Sequence, residues 1–209
     1  DDSGFYFTQT TRADKIGRLW LGDAQTGSCR LLIEEKAEKF LNLSSYGELD
    51  GFGDYGYSNF VTDDKKQAFW QSERDGFARL YRYDCESGAC LGPITPEKVI
   101  VQKLIRYDSK AETVWFMANN FTLRPDLASV SNPYYHLLCC VRLDGSGFRV
   151  LTPEDGEHTV HMSGAYFTDT WSRVDLPPVT LLKDLNGTTV RTLEQADISD
   201  LQSRGFITP

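Results

Sequence analysis

The amino-acid sequence predicts an all-β protein, a partial β-propeller of about three to four antiparallel blades with a short helix near the C-terminus. A pattern of strand, glycine-containing turn and strand recurs along the 209 residues, and a short aromatic-rich segment precedes each recurrence. The turn glycines are about 40 to 60 residues apart, near the repeat length of propeller blades. We therefore expect blades of three or four strands each.

Each recurring hairpin has an aspartate at the end of its first strand and a glycine in the turn that follows. An Asp side chain accepts hydrogen bonds from turn amides, and Gly adopts positive φ without steric cost. These features predict the same tight turn at every recurrence. The first strands are expected within residues 19–23, 80–84, 138–144 and 179–184, with turns at Gly27, Gly88, Gly147 and Asn186-Gly187.

Additional strands are expected ahead of the hairpins, where aromatic side chains favour sheet structure. A helix is predicted only within residues 193–205, with Asp197 or Ser199 at its start and Gly205 at its end. One further helical turn is a candidate within residues 34–40. The additional strands are predicted within residues 5–8, 67–72, 113–118 and 165–171.

The composition excludes some classes of protein. A net charge of −8 argues against a nucleic-acid partner, which needs a basic surface to neutralise phosphates. No apolar run approaches the roughly 20 residues that span a bilayer. The first residues do not have the pattern of a signal peptide, so no targeting segment is expected within this chain.

The sequence contains no recognisable catalytic motif. Neither G-x-S-x-G, nor a Walker loop, nor G-x-G-x-x-G occurs, so we predict no catalytic residue and no cofactor in this chain. His158 and His161 suggest a metal pair, but their context is strand or loop and no third ligand follows in sequence, so no metal is predicted. The acidic pair Glu34-Glu35 follows a hairpin and is interpreted as a solvated face.

Two of the five cysteines raise the question of a disulfide. Cys85 and Cys90 flank the turn at residues 86–89 and could lie opposite each other across a hairpin. The alternative is a pair of free thiols, and the sequence leaves both open.

Residues 44–57 combine glycines with aromatic side chains between two predicted blades. Loops of this kind on a rigid scaffold often carry binding residues. Phe52 and Tyr55 are therefore candidates for contacting a peptide side chain at a substrate rim. The alternative is that these rings pack the junction between blades.

Three segments together carry a resemblance to a known family. Residues 72–84 read SERDGFARLYRYD, residues 143–147 (LDGSG) are followed by LTPEDGEH at 151–158, and residues 166–178 read YFTDTWSRVDLPP. These segments resemble the N-terminal β-propeller domain of dipeptidyl peptidase IV-type enzymes, in the prolyl oligopeptidase family of serine peptidases. The resemblance covers nearly the whole chain and is strongest after residue 60.

The resemblance implies an eight-bladed propeller followed by an α/β-hydrolase domain that carries a Ser-Asp-His triad. Residues 1–209 would be the C-terminal part of that propeller, and the catalytic hydrolase domain would be absent from this chain. The parent protein, meaning the longer protein of which this chain would be a part, would then be a serine-type dipeptidyl peptidase. It would remove X-Pro or X-Ala dipeptides from peptide N-termini.

Further expectations follow from the same resemblance. The propeller portion would gate and position the peptide substrate beside the hydrolase domain, and the parent would be periplasmic, extracellular or membrane-anchored. A homodimer of the parent is a further expected partnership. The alternative is a stand-alone propeller that binds a protein or peptide. A G-x-S-x-G domain after residue 209 in the full-length gene would distinguish the two.

Overall fold

A computed structural model of the protein describes residues 4–41 and 59–208. Contacts divide the chain into two units, Asp1–Ile94 and Thr95–Pro209. The described residues of each unit form two antiparallel sheets in which strands that are consecutive in sequence lie side by side. This arrangement confirms the predicted all-β architecture of successive blade-like sheets.

The first unit contains a three-stranded sheet and a four-stranded sheet. Each sheet is a meander, because short connections join strands that pair directly. The strands of the first sheet are β1 (Gly4–Thr10), β2 (Ile16–Asp23) and β3 (Cys29–Lys36), and those of the second are β4 (Asn59–Val61), β5 (Gln67–Ser72), β6 (Arg79–Asp84) and β7 (Cys90–Pro93).

The second unit contains two four-stranded sheets of the same meander type. Among the described residues, its helices are a 3-10 turn at Phe121–Leu123 and α1 at Ser199–Ser203. The third sheet consists of β8 (Ile100–Asp108), β9 (Thr113–Asn119), β10 (Leu137–Arg142) and β11 (Arg149–Val150), and the fourth of β12 (Glu157–Ser163), β13 (Tyr166–Arg173), β14 (Leu176–Asp184) and β15 (Thr189–Gln195).

The four predicted hairpin turns are confirmed. Gly27, Gly88, Gly147 and Gly187 all have positive φ, between 66° and 83°. The aspartate before each turn accepts a hydrogen bond from a turn amide at 2.8 or 2.9 Å. Space adds a second constraint at Gly187, since a Cβ there would lie 2.7 Å from a backbone oxygen. The aspartates are Asp23, Asp84, Asp144 and Asp184.

Side chains from both sheets of a unit form its hydrophobic core. In the first unit Leu19 and Ile33 of the first sheet pack with Trp70 and Tyr83 of the second. In the second unit Phe167 of the fourth sheet joins a cluster from the third sheet. Burying such aromatic and branched side chains is worth roughly 1.5–3 kcal/mol each. This burial stabilises the packing of two sheets against each other within each unit.

Two helix predictions need correction. The helical turn predicted within residues 34–40 is wrong, because β3 runs to Lys36 and residues 37–40 are irregular. The helix predicted within residues 193–205 is shorter than expected, because β15 extends to Gln195 and α1 covers only Ser199–Ser203. Pairing with β14 supplies the hydrogen bonds of the first part of that segment. Asp197 does accept a hydrogen bond from the Ser199 amide, at 2.9 Å.

Among the described helices, none has the length and apolar character needed to cross a membrane.

Candidate functional site

A pocket opens at one edge of the first unit, where β3 ends and the loop between β5 and β6 begins. The two meet because the end of β3 lies beside Trp70 and Ser72 near the end of β5. We call this cavity of about 480 Å³ the edge pocket. Its lining residues are Glu34, Glu35, Lys36, Ala37, Phe40, Leu41, Gln71, Ser72, Glu73 and Arg74.

Glu35 is the buried acidic group of the edge pocket, with 9% of its surface exposed. Its carboxylate accepts hydrogen bonds from Trp70 Nε1 at 2.7 Å, from Ser72 Oγ at 2.5 Å and from Arg74 Nη2 at 3.2 Å. A buried carboxylate is stable only with such partners, because it has lost its hydration. The first sheet is therefore bonded to the second through a polar contact as well as through the core.

The register of β3 explains why Glu35 is buried. The pairing of β2 with β3 shifts between Leu19 and Trp20, whose partners are Ile33 and Leu31. Leu32 is the extra residue of this bulge, which changes the side of the sheet that later residues face. Glu35 therefore points inward.

The interpretation of Glu34-Glu35 as a solvated pair is confirmed for one residue and wrong for the other. Glu34 lies on the surface and forms ion pairs with Arg18 at 2.7 Å and Lys36 at 2.8 Å. Hydrogen bonds from Lys36 and Arg18 lower the pKa of Glu34. Glu35 is instead buried, as described above. The sequence signal that was missed is the Trp70 and Ser72 pair, two polar groups on one strand that need an acceptor.

Two tyrosines lie behind the edge pocket and remain protonated at neutral pH. Burial is the main reason that the pKa of Tyr83 is raised to about 12. Burial, followed by a hydrogen bond with Asp75, raises the pKa of Tyr81 to about 12. The hydroxyls of Tyr81 and Tyr83 are therefore neutral. Arg74, which contacts both tyrosines and Glu35, keeps its positive charge.

A second group of polar side chains lies in and beside the fourth sheet, and we call it the charge cluster: the half-buried Glu154, just before β12, and the buried His158, Asp169 and Lys183. His158 is 3%, Asp169 0% and Lys183 1% exposed. Lys183 Nζ lies 2.7 and 2.9 Å from the Glu154 carboxylate oxygens. It is also 2.9 Å from Asp169 Oδ2, which is an ion-pair distance.

His158 has a hydrogen-bond contact at each of its ring nitrogens. Its Nε2 faces the backbone oxygen of Glu154 at 3.0 Å, and its Nδ1 faces Asp169 Oδ1 at 2.8 Å. These two contacts fix the orientation of the ring within the charge cluster.

The charge cluster also bears on metal binding. Ligand atoms of Glu154, His158 and Asp169 lie within 4.8 Å of one another, a spacing compatible with a metal ion. Sequence reasoning missed this set, because it depends on the pairing of β12 with β13 and on the position of Glu154 just before β12, and not on sequence spacing. Lys183 Nζ lies between both carboxylates, within ion-pair distance of each, and Asp169 Oδ2 has no hydrogen-bond partner among the described residues.

The pair His158 and His161 does not come together. The two residues lie three positions apart on β12, so their side chains point to opposite faces of the strand. His158 is buried, whereas His161 is exposed.

The question of a Cys85–Cys90 disulfide is also answered, because both are free thiols. Cys90 pairs across the hairpin with Tyr83. Cys85 lies inside the turn and is buried in the first-unit core. The alternative of free thiols is therefore confirmed, and the two cysteines do not lie opposite each other because the turn begins at Cys85.

Phe52 and Tyr55, the candidate rim residues, lie outside the described residues. Leu41, which is described, precedes their segment and lines the edge pocket. Their proposed contact with peptide therefore stays a prediction.

Comparison with known proteins gives one family and several similar folds. The model of a family described as the dipeptidyl peptidase IV N-terminal region matches residues 1–178. A dipeptidyl peptidase 4 structure from Porphyromonas gingivalis is similar with a TM-score of 0.67 and 20% identity, over 97% of this chain and 26% of that one. A putative dipeptidyl aminopeptidase IV from Bacteroides ovatus gives 0.67 and 20%, over 94% of this chain and 28% of that one.

A putative TolB from Agrobacterium tumefaciens is similar at a TM-score of 0.53 and 17% identity, over 92% of this chain and 61% of that one. At such identities the structural likeness shows a shared fold. This chain spans about a quarter of the length of the two peptidase structures.

Proposed function

Because the chain belongs to the dipeptidyl peptidase IV N-terminal region family, we propose that it is the non-catalytic propeller portion of a secreted serine dipeptidyl peptidase. The parent protein removes X-Pro or X-Ala dipeptides from peptide N-termini. Its hydrolase domain, outside this chain, performs the acyl transfer. A periplasmic, extracellular or membrane-anchored location, and a homodimer of the parent, belong to the same proposal.

The role of this portion is to gate and position the peptide. The edge pocket is the observation that carries this role, because it combines a fixed charged pair, Glu35 and Arg74, with an apolar rim at Phe40. Residues positioned by a rigid sheet can orient a bound segment, and correct orientation lowers the barrier of the reaction that follows. Leu41, the last described residue before the segment that contains Phe52 and Tyr55, also lines the edge pocket.

Kinetics of the parent protein with Phe52→Ala test this role. The variant should lower kcat/KM for an X-Pro chromogenic substrate, because a contact with the peptide is lost, while the melting temperature stays near that of the wild type. Tyr166→Ala is the control, since Tyr166 is an aromatic residue of the other unit with 49% of its surface exposed. It should change neither quantity.

Three results would contradict different parts of the proposal. A melting temperature lower by many degrees, with unchanged kinetics of the surviving enzyme, would assign Phe52 to the core and remove it from the rim. Failure of the wild-type parent to cleave any X-Pro or X-Ala peptide would refute the peptidase function itself. A full-length gene without a following G-x-S-x-G domain would favour a stand-alone peptide-binding module.

A further inference from the structure

Arg74 is held in one orientation at the edge pocket. Its Nε donates to Ser72 Oγ at 2.8 Å, and its Nη2 donates to Tyr83 Oη at 2.6 Å and to Glu35 at 3.2 Å. The guanidinium also lies over the Tyr81 ring, 4.4 Å from its centroid, in a cation–π contact. The rotational freedom of this long side chain is therefore lost on folding and not on ligand binding.

The other end of the guanidinium retains capacity to donate. The Arg74 side chain is 35% exposed although it has these partners. Within the described part of the chain, the hydrogen-bond contact of Nη1 is Cys90 Sγ at 3.9 Å, and sulfur is a weak acceptor. Nη1 carries two N–H groups, so a ligand oxygen in the edge pocket would gain a charge-assisted hydrogen bond.

Charges around Arg74 decide which oxygen is favoured. The edge pocket is lined by three carboxylates, Glu34, Glu35 and Glu73, and by two cations, Lys36 and Arg74. This excess of negative charge disfavours a free carboxylate and leaves a neutral carbonyl oxygen as the better acceptor.

The remaining features of the pocket fit a peptide. Phe40 presents a ring that is 59% exposed, which can pack against an apolar side chain. The volume of about 480 Å³ lies within the range of pockets that enclose small ligands.

We infer that Arg74 is a binding residue for a backbone carbonyl of the peptide substrate, and that Glu35 is a positioning residue that fixes the guanidinium. The inference rests on the proposed peptidase function. The peptide segment that reaches the edge pocket presents its carbonyl to Nη1 and an apolar side chain to Phe40.

Steady-state kinetics of the parent protein on X-Pro peptides of increasing length test the inference. Arg74→Met should raise KM about tenfold for peptides long enough to reach the pocket, with kcat unchanged, because one charge-assisted hydrogen bond is lost. Shorter peptides should have the wild-type KM. Arg74→Lys should give a smaller rise that begins at the same length, since an ammonium keeps the charge but loses the planar fork.

Lys66→Met is the matched control, because Lys66 is a cation of the same unit that lies outside the edge pocket, with its side chain 79% exposed. Its KM values should follow the wild type at every length. If Arg74 had only a structural role, Arg74→Met would lower the yield or the melting temperature of the protein. Any change in KM would then be the same for peptides of every length. The onset at one peptide length separates binding from folding.

Different results would overturn the assignment of Arg74 and the proposed peptidase function. If the wild-type parent cleaves X-Pro peptides and Arg74→Met keeps wild-type KM values at every length, the assignment of Arg74 is overturned and the peptidase function stands. If Arg74→Met does not fold, wild-type KM values for Arg74→Lys at every length overturn it. If the wild type cleaves no peptide, the proposed function has failed.

Discussion

Replacing Lys183 with Met tests whether the charge cluster stabilises the fourth sheet. Lys183 is 1% exposed and contacts Glu154 at 2.7 and 2.9 Å and Asp169 at 2.9 Å. Met preserves much of the side-chain length, so the change removes charge with little change in packing volume. The substitution therefore isolates the electrostatic contribution of Lys183 to the free energy of unfolding.

The expected loss follows from which carboxylate is left without compensation. Removing one partner of a buried ion pair typically costs 3–5 kcal/mol. The Glu154 side chain is 27% exposed and recovers hydration, whereas Asp169 is 0% exposed and keeps only His158. The penalty comes mainly from Asp169, so we expect the lower part of the range, about 3 kcal/mol.

Urea denaturation followed by tryptophan fluorescence measures the change. Trp171 lies 6.1 Å from the His158 ring and reports on this region. Lys66→Met is the control: Lys66 is 79% exposed and 3.8 Å from Asp64, so its loss should change the free energy of unfolding by less than about 0.5 kcal/mol.

A double-mutant cycle with Glu154→Gln measures the part of the loss that comes from the contact between Lys183 and Glu154. The coupling between the two substitutions should exceed about 0.5 kcal/mol, since the residues are in direct contact. A Lys183→Met loss below about 1 kcal/mol, with an unchanged dependence on urea, would refute the conclusion that the buried Lys183 compensates the charge of Asp169.

Three other predictions concern activity, thiols and acid stability. The chain alone should not release product from a dipeptidyl chromogenic substrate, because it contains no nucleophile motif; turnover that persists after repurification would contradict this. Burial raises the pKa of Cys85 to about 11, so iodoacetamide at mildly alkaline pH should modify the exposed Cys29 and Cys90 in the folded protein and Cys85 only after unfolding, as peptide mass spectrometry would detect. Burial acts to raise the pKa of Glu157, but hydrogen bonds from the His136 ring and amide outweigh it and lower the pKa. Its contribution to stability should be complete above the unfolded-state pKa of about 4.3 and be lost as pH falls through the lowered value, so Glu157→Gln should reduce the acid dependence of unfolding.

The hairpins were predictable because their determinants are local. An aspartate that accepts turn hydrogen bonds and a glycine at positive φ act within five or six residues, and the turns at Gly27, Gly88 and Gly147 formed as expected. Aromatic-rich strands such as β5 were found for the same reason, since side-chain shape sets their preference for sheet structure.

The C-terminal segment shows where local reasoning fails. Residues 193–205 include helix-forming side chains, but residues up to Gln195 pair with β14. Strand pairing forms more backbone hydrogen bonds than a helix of five residues such as α1 can form. Propensity decided the end of this segment and tertiary pairing decided its beginning.

The sequence by itself determined the all-β class, the hairpin turns and, through the resemblance carried by its motifs, the family. Only the tertiary structure decided which polar residues are buried together. Glu35 faces inward because of a bulge opposite Leu19 and Trp20, and it then meets Trp70 of another sheet. The charge cluster likewise joins Asp169 and Lys183 from paired strands. Register and sheet packing set such contacts over long sequence separations, and residue spacing along the chain does not record them.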